Sequence, residues 1–239
     1  MRRSRLIKAF VLSDTIHRRA QASAPVCVII VAVETPFSYR SAFELLYVIH
    51  AQPQRQRLQR RFHGVPAEIF VNPPHTIRGY FENEHRDGRP CTAHMFVTGF
   101  PILVNDPVVT ALQEEARTWL QKAPTVSAQK LLWQRYGLVD QLDNAKDLLD
   151  SDPECASRIL HQVVDGLVDY CFLSNGRFLP RIKESITKLA EIDPELAQLT
   201  RAYYQTSDAQ SQAQLADTLA QRMLGVTEFF EWESALEAV

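Results

Sequence analysis

Glycine is missing from the first 63 residues; all eight glycines of the 239-residue chain stand at or after Gly64. Acid is scarce in the same stretch. Residues 1–63 hold 11 Lys/Arg against 3 Asp/Glu, whereas residues 64–239 hold 15 against 25. The net charge of −2 is therefore a cancellation of +8 and −10. Taken whole, that balance counts against a nucleic-acid partner. Long apolar runs are also lacking. The longest, Val26 to Val33, has eight residues, too few for a membrane span and right for a buried strand. Behind the basic start Met1-Arg-Arg-Ser-Arg5, the apolar stretch is broken by Lys8, Ser13 and Asp14, which argues against a secretory signal. The expectation is a cytoplasmic chain with no membrane partner.

Cysteine is sparse. Cys27, Cys91, Cys155 and Cys171 are widely spaced and form no CxxC pair, so reduced, packed thiols are expected rather than a zinc site. No Walker-type loop, GxGxxG or GxSxG occurs, and His75, His85 and His94 make no HxxxH pair. What is present is 46% hydrophobic residues, enough to bury the core of one large domain or two small ones. The basic stretch has two explanations. It meets phosphates, or it is divergent sequence whose composition names no partner. Gln52 to Arg61 has one strong apolar residue, Leu58, and reads as a solvated connection.

Along the chain, Val26–Val33 reads as a strand, Tyr39–His50 has the helical spacing of Phe43, Leu46 and Tyr47, and Gly64–Val71 reads as a turn and second strand. Asn72-Pro73-Pro74 ends that strand. From there the pattern is helical. Asn105-Asp106-Pro107, Asp152-Pro153-Glu154 and Asp193-Pro194-Glu195 share one helix-start device, an acceptor at the cap and a proline pre-set for the first turn. The clearest amphipathic helix follows Pro153, with Leu160, Val163, Val164, Leu167, Val168, Cys171 and Phe172 on one face and Asn175-Gly176 as its stop. Further helices fit Ala128–Leu149, Pro180–Leu189, Pro194–Tyr204 and Ala209–Leu224. The domain expectation is a sheet-containing part over 1–103 and a helical bundle over 104–239.

Several residues invite a chemical reading. Glu68 lies inside Ala67-Glu-Ile-Phe-Val71, and a carboxylate on a central strand is costly without a cation, metal or hydrogen bonds. It is a metal ligand or base, or an outward-facing acid on an edge strand; sequence leaves both open. Asp140, Asp143, Asp147 and Asp150 form one helical stripe with Tyr136 a turn earlier. Such a stripe can hold a polycationic substrate, though a solvated helix face is the commoner cause. His94 reads as a hydrogen-bonded residue of a packed helix. Arg158 with His161 is thin support for ribonuclease-type chemistry. Arg177, Arg181, Lys183 and Lys188 suit phosphates or helix ends. Phe229, Phe230 and Trp232 suit packing against the body or a partner.

The run Gly64-Val-Pro-Ala-Glu-Ile-Phe-Val-Asn-Pro-Pro-His-Thr-Ile-Arg-Gly-Tyr-Phe81 resembles the nucleotidyltransferase superfamily, most nearly bacterial antibiotic-nucleotidyltransferase-like proteins of the DNA polymerase β type. Gly88–Met95, Arg135-Tyr136 with Asp140 to Asp147, Phe178–Lys183 and Phe229–Glu233 are similar to the same proteins. The resemblance implies an α+β fold, a small mixed β-sheet domain followed by an all-α helical bundle that holds substrate. It implies transfer of a nucleoside monophosphate from NTP to a hydroxyl of a small-molecule acceptor. A Gly-Ser turn cradles the triphosphate, and an Asp-x-Asp strand with a third carboxylate on a neighbouring strand holds Mg²⁺.

The chain departs from that pattern at its centre. Asp14-Thr15 stands at the Gly-Ser position, Arg18-Arg19 at the Arg-Gly position, and Val26 and Val28 at the metal-binding acids. Valine cannot ligate Mg²⁺. Glu68 alone matches the third carboxylate, as residual catalytic and metal residue. Arg18 is the implied phosphate contact, and Tyr136, Asp140, Asp143 and Asp147 the implied acceptor face. Pro36–Phe43 matches a family segment that leads into the second strand, which makes residues 44–61 an insertion. The missing glycines, excess arginine and lost motif together also fit a damaged N-terminal coding segment. The implied state is an impaired or inactive pseudoenzyme, with Mg²⁺ and NTP as cofactors only where activity persists. The alternative is a non-catalytic binding or regulatory protein that uses the helical bundle.

Overall fold

A computed structural model describes residues 27–32, 44–49, 53–62, 65–104, 106–234 and 236. These residues form a mixed five-stranded sheet and two sets of helices, an α+β protein. The strands are β1 (Cys27–Ala32), β2 (Glu44–Ile49), β3 (Gln56–Phe62), β4 (Val65–Asn72) and β5 (Phe100–Val104), in the order β3-β4-β2-β1-β5. β2 runs parallel to β4; the other neighbours are antiparallel. The β-branched run Cys27–Ala32 suits an interior strand, and β1 takes one. Pro101 lies on β5 at the sheet edge, where its missing N–H is tolerated, and the β1–β5 register shifts beside it between Val28 and Ile29.

Three expectations are corrected here. Residues 44–49, expected as part of a helix, are β2; six residues rich in leucine, tyrosine and β-branched types are too short for a stable helix turn pattern and pair on both sides. The supposed solvated connection contains β3, since an edge strand with exposed side chains needs no apolar face. β5 interrupts the stretch expected to be helical throughout.

The helices are α1 (Pro74–Arg86), α2 (Cys91–Thr98), α3 (Val108–Gln121), α4 (Ala128–Asp147), α5 (Pro153–Ser174), α6 (Ser185–Leu189, after a 3₁₀ turn at Ile182–Glu184), α7 (Pro194–Gln205) and α8 (Ala209–Leu224). They divide between two compact units. The first takes the described residues to His85 and Pro90–Lys122; the second takes Arg86–Arg89 and the described residues from Ala123. The break falls after Lys122 rather than at 103/104, because α3 buries Val109, Leu112 and Ala116 with Ile49, Ile77, Phe81, Ala93 and Phe96 of the sheet unit. Phe81 meets Phe96 edge to face at 5.6 Å.

The second unit is organised on α5. Leu160, Val163, Val164, Leu167, Val168, Cys171 and Phe172 are all buried, as the 3–4 spacing predicts. A Cβ at Gly166 would lie 2.5 Å from Leu138 Cδ2, so glycine here permits close approach of α4 and α5. The caps follow the sequence. Asp152 accepts from Cys155 N at 3.0 Å, and Asp193 from Glu195 N and Leu196 N at 2.8 and 3.1 Å. Asp106 serves α3 from one residue further out, accepting from Val108 N at 2.8 Å.

Candidate functional site

On β4, Ala67 and Ile69 are buried at 1% and 5% exposure, so strand alternation turns Glu68 to the opposite face. β4 is not an edge strand. β3 flanks it, with Gln59 opposite Glu68 and Arg57 opposite Phe70. Arg57 therefore sits diagonally across from Glu68, within reach of a long side chain. Its Nε donates to Glu68 Oε1 at 2.8 Å, and its second guanidinium nitrogen donates to the same oxygen. The guanidinium also lies over the Phe70 ring, 4.6 Å from the centroid. The Glu68 side chain is 14% exposed, that of Arg57 67%. A cation compensates the strand carboxylate, the condition under which such an acid is tolerable.

The register tests the fit to Mg²⁺. β2 stands between β4 and β1, so the Glu68 strand and the Val28 strand are about 10 Å apart, two strand spacings. Glu68 lies opposite Leu45, which lies opposite Val31; Val28 belongs to the row of Val48 and Val71. Among the described residues no group of three His, Cys, Asp or Glu is placed to hold a metal ion. Glu68 is engaged by a guanidinium and its β1 counterparts are hydrocarbon. These residues do not fit the metal pair. Asp14, Thr15, Arg18, Arg19, Val26 and Pro36–Phe43 lie outside the described residues.

In the helical unit, Tyr136 belongs to an aromatic cluster. Its ring is 6.0 Å from Trp133 and 5.1 Å from Trp232, which are 4.8 Å from each other. The C-terminal segment thus packs back on α4: Phe230 receives the Arg135 guanidinium at 4.4 Å, while Phe229 is 83% exposed. Trp133 and Tyr136 keep 46% and 39% of their surface exposed. The acids further along α4 are dispersed in their roles. Asp140 is exposed and accepts from Asn144 Nδ2 at 3.3 Å. Asp143 lies 4.0 Å from Lys146 Nζ, whose closer partners are Asp217 at 2.7 Å and the Thr227 carbonyl at 3.0 Å. Asp147 is exposed, and Asp150 accepts from Gln210 Nε2 at 3.3 Å.

The remaining candidates have structural surroundings. His161 Nδ1 is 2.7 Å from the Ser157 carbonyl, which can only accept, so Nδ1 carries the hydrogen. Tyr203 and Tyr204 lie against the ring at 5.4 and 5.8 Å. Tyr204 donates to Asp165 at 2.5 Å. Burial, then the Asp165 charge, pushes the Tyr203 phenol up; burial, then the Asp165 hydrogen bond, does the same for Tyr204. Both phenols are held protonated, which suits packing rather than nucleophilic chemistry. His94 is exposed on α2. Arg181 and Lys188 pair with Glu184 and Glu191 three residues on.

Gly88–Met95 earns its residues structurally. Gly88 has φ +78°, and its carbonyl accepts from Leu179 N at 2.8 Å. Arg89 reaches Asp169 at 3.3 Å, and Glu84 accepts from Thr92 N and Oγ1 at 2.6 and 2.7 Å at the start of α2. Sequence reasoning missed Arg57 as the partner of Glu68. The signal was present, an acid-bearing strand preceded by a strand-length arginine-rich segment. It also missed Trp133 as a companion of Tyr136, although the two are three apart on one helix.

No protein-family model matches the chain, and no curated protein matches it. Its fold matches the crystal structure of a nucleotidyltransferase-like protein from Exiguobacterium sibiricum 255-15, with a TM-score of 0.56 and 14% sequence identity. The match covers 89% of this chain and 73% of that one. At this identity the likeness is one of fold. The chain is an α+β protein with a mixed-sheet unit followed by a helical one, and this fold is what it shares with that structure.

Proposed function

We propose that the chain is a nucleotidyltransferase-like protein whose transfer centre has lost its metal-binding acids. The observation that carries this reading is the Arg57–Glu68 pair. The one acid that matches the family's third carboxylate is bound to a guanidinium, and valines stand at the other two positions. A guanidinium compensates one carboxylate but supplies no open coordination position for a phosphate oxygen. Mg²⁺ and NTP are therefore not cofactors of this chain as it stands. Arg18 as phosphate contact, and the face of Tyr136, Asp140, Asp143 and Asp147 as acceptor site, belong to the ancestral activity. The proposed location is the cytoplasm; no described helix is long and apolar enough to cross a membrane.

Calorimetric titration of the full chain with NTP, with and without Mg²⁺, tests the proposal. The expected result is no magnesium-dependent heat. Magnesium-dependent binding that disappears in Glu68→Ala would overturn it and restore an active enzyme using Glu68. A second reading, a non-catalytic binding or regulatory protein working through the helical unit, is favoured by the half-exposed cluster of Trp133, Tyr136 and Trp232.

A further inference from the structure

β3 is the outermost described strand on its side of the sheet and follows β4 over seven residues with no register shift. Among the described residues nothing pairs with its other edge, which presents backbone N–H and C=O groups outward. β3 contains no proline and no bulge, so the edge is a regular template for one more strand. Its side chains are unusual. Gln56, Arg57, Gln59, Arg60 and Arg61 are all exposed, as is Arg55 just before it, and no Asp or Glu stands between Glu44 and Glu68. Glu68 answers Arg57, and Arg55 donates to the Tyr80 hydroxyl oxygen at 2.8 Å.

Strand alternation sends Arg57 and Arg61 to one side of the sheet and Arg60 to the other. Positive charge flanks the edge on both sides. Edge-to-edge pairing of two copies would set arginine against arginine, which destabilises. An extended acidic segment would complete the ladder with its backbone while its carboxylates meet guanidinium groups on either side. A nucleic-acid strand draws on phosphate contacts along one surface, and these arginines are split between two. We infer that the outer edge of β3, unpaired among the described residues, docks an acidic peptide in extended conformation, added as a further strand. The inference is independent of the state of the transfer centre.

The test uses the full chain and a labelled peptide of about eight residues built of Glu-Glu-Thr-Thr repeats, which puts carboxylates on both faces of the added strand and is long enough to cover the seven of β3. Fluorescence anisotropy should show saturable binding, weakened about tenfold or more by Arg60→Glu with Arg61→Glu and largely kept by the lysine pair of substitutions. Two more probes carry backbone N-methyl groups on one or the other alternate set of amides. Only every second amide of an added strand faces the sheet, so one probe should lose binding and the other keep it. Equal behaviour of the two probes, or no saturable binding, overturns the inference. So does tighter binding of an oligothymidylate of equal charge that the Arg60 and Arg61 reversal abolishes, which would make the edge a nucleic-acid contact. Should the reversed variant fail to fold by circular dichroism, the N-methyl comparison on the unaltered chain decides.

Discussion

Helix starts and strand interiors handle carboxylates in opposite ways. At helix starts of both units acids are satisfied by the backbone, Asp106 at the head of α3 among them. Asp152, Asp193 and Asp208 accept from main-chain N–H groups at the heads of α5, α7 and α8. In the sheet unit, Glu68 lies within a strand whose own backbone is committed to its neighbours, and it depends on Arg57. A helix end has spare donors for an acid; the middle of a sheet has none. Asp106, Asp152, Asp193 and Asp208 therefore belong to the grammar of helix termini and need not advertise a cationic ligand.

The steepest loss is expected from the bundle core. Leu160→Ala removes a fully buried side chain from α5 and should cost about 2–5 kcal/mol in denaturant unfolding. A loss below about 1 kcal/mol would mean the helices collapse around the hole and that caps, not core, carry the unit. Next comes an asymmetry at the sheet. Arg57→Ala strands a mostly covered carboxylate and should cost about 1–3 kcal/mol. Glu68→Ala leaves a well-exposed guanidinium and should cost less than about 1 kcal/mol. Equal costs would erase the contrast drawn between strand and helix-end acids.

The smallest effect concerns Asp208. Its side-chain and backbone hydrogen bonds to Ser211 hold its carboxyl below the ordinary 3.8. A folded value below the unfolded one means stability that is present above the unfolded value and lost as pH falls through the folded one. Acid titration followed by circular dichroism should show helix loss there, and Asp208→Asn should flatten that part of the curve.

The helical unit was readable because its instructions are local. Asp152-Pro153 and Asp193-Pro194 start helices within a few residues of themselves, and the buried face of α5 repeats every turn. The sheet resisted because its instructions are distant. Glu44–Ile49 has apolar residues that fit a helix face, and only β1 and β4, far off in sequence, make it a strand. Gln56–Phe62 lacks an apolar face, so no periodicity announces β3. Glu68 was found as an acid needing compensation, but the choice between metal and arginine was set by the diagonal register of β3, which no single segment encodes.

The loop from Arg86 to Arg89 interleaves the two halves. Asp87 lies 3.9 Å from Lys130, the Gly88 carbonyl accepts from Leu179 N, and Arg89 meets Asp169. Those four residues count with the helices, while the chain on either side of them counts with the sheet. Cutting the gene after Lys122 would therefore strip the downstream piece of a splint it borrows from upstream. Anyone wishing to prepare the bundle by itself would have to supply that short segment in trans or graft it back.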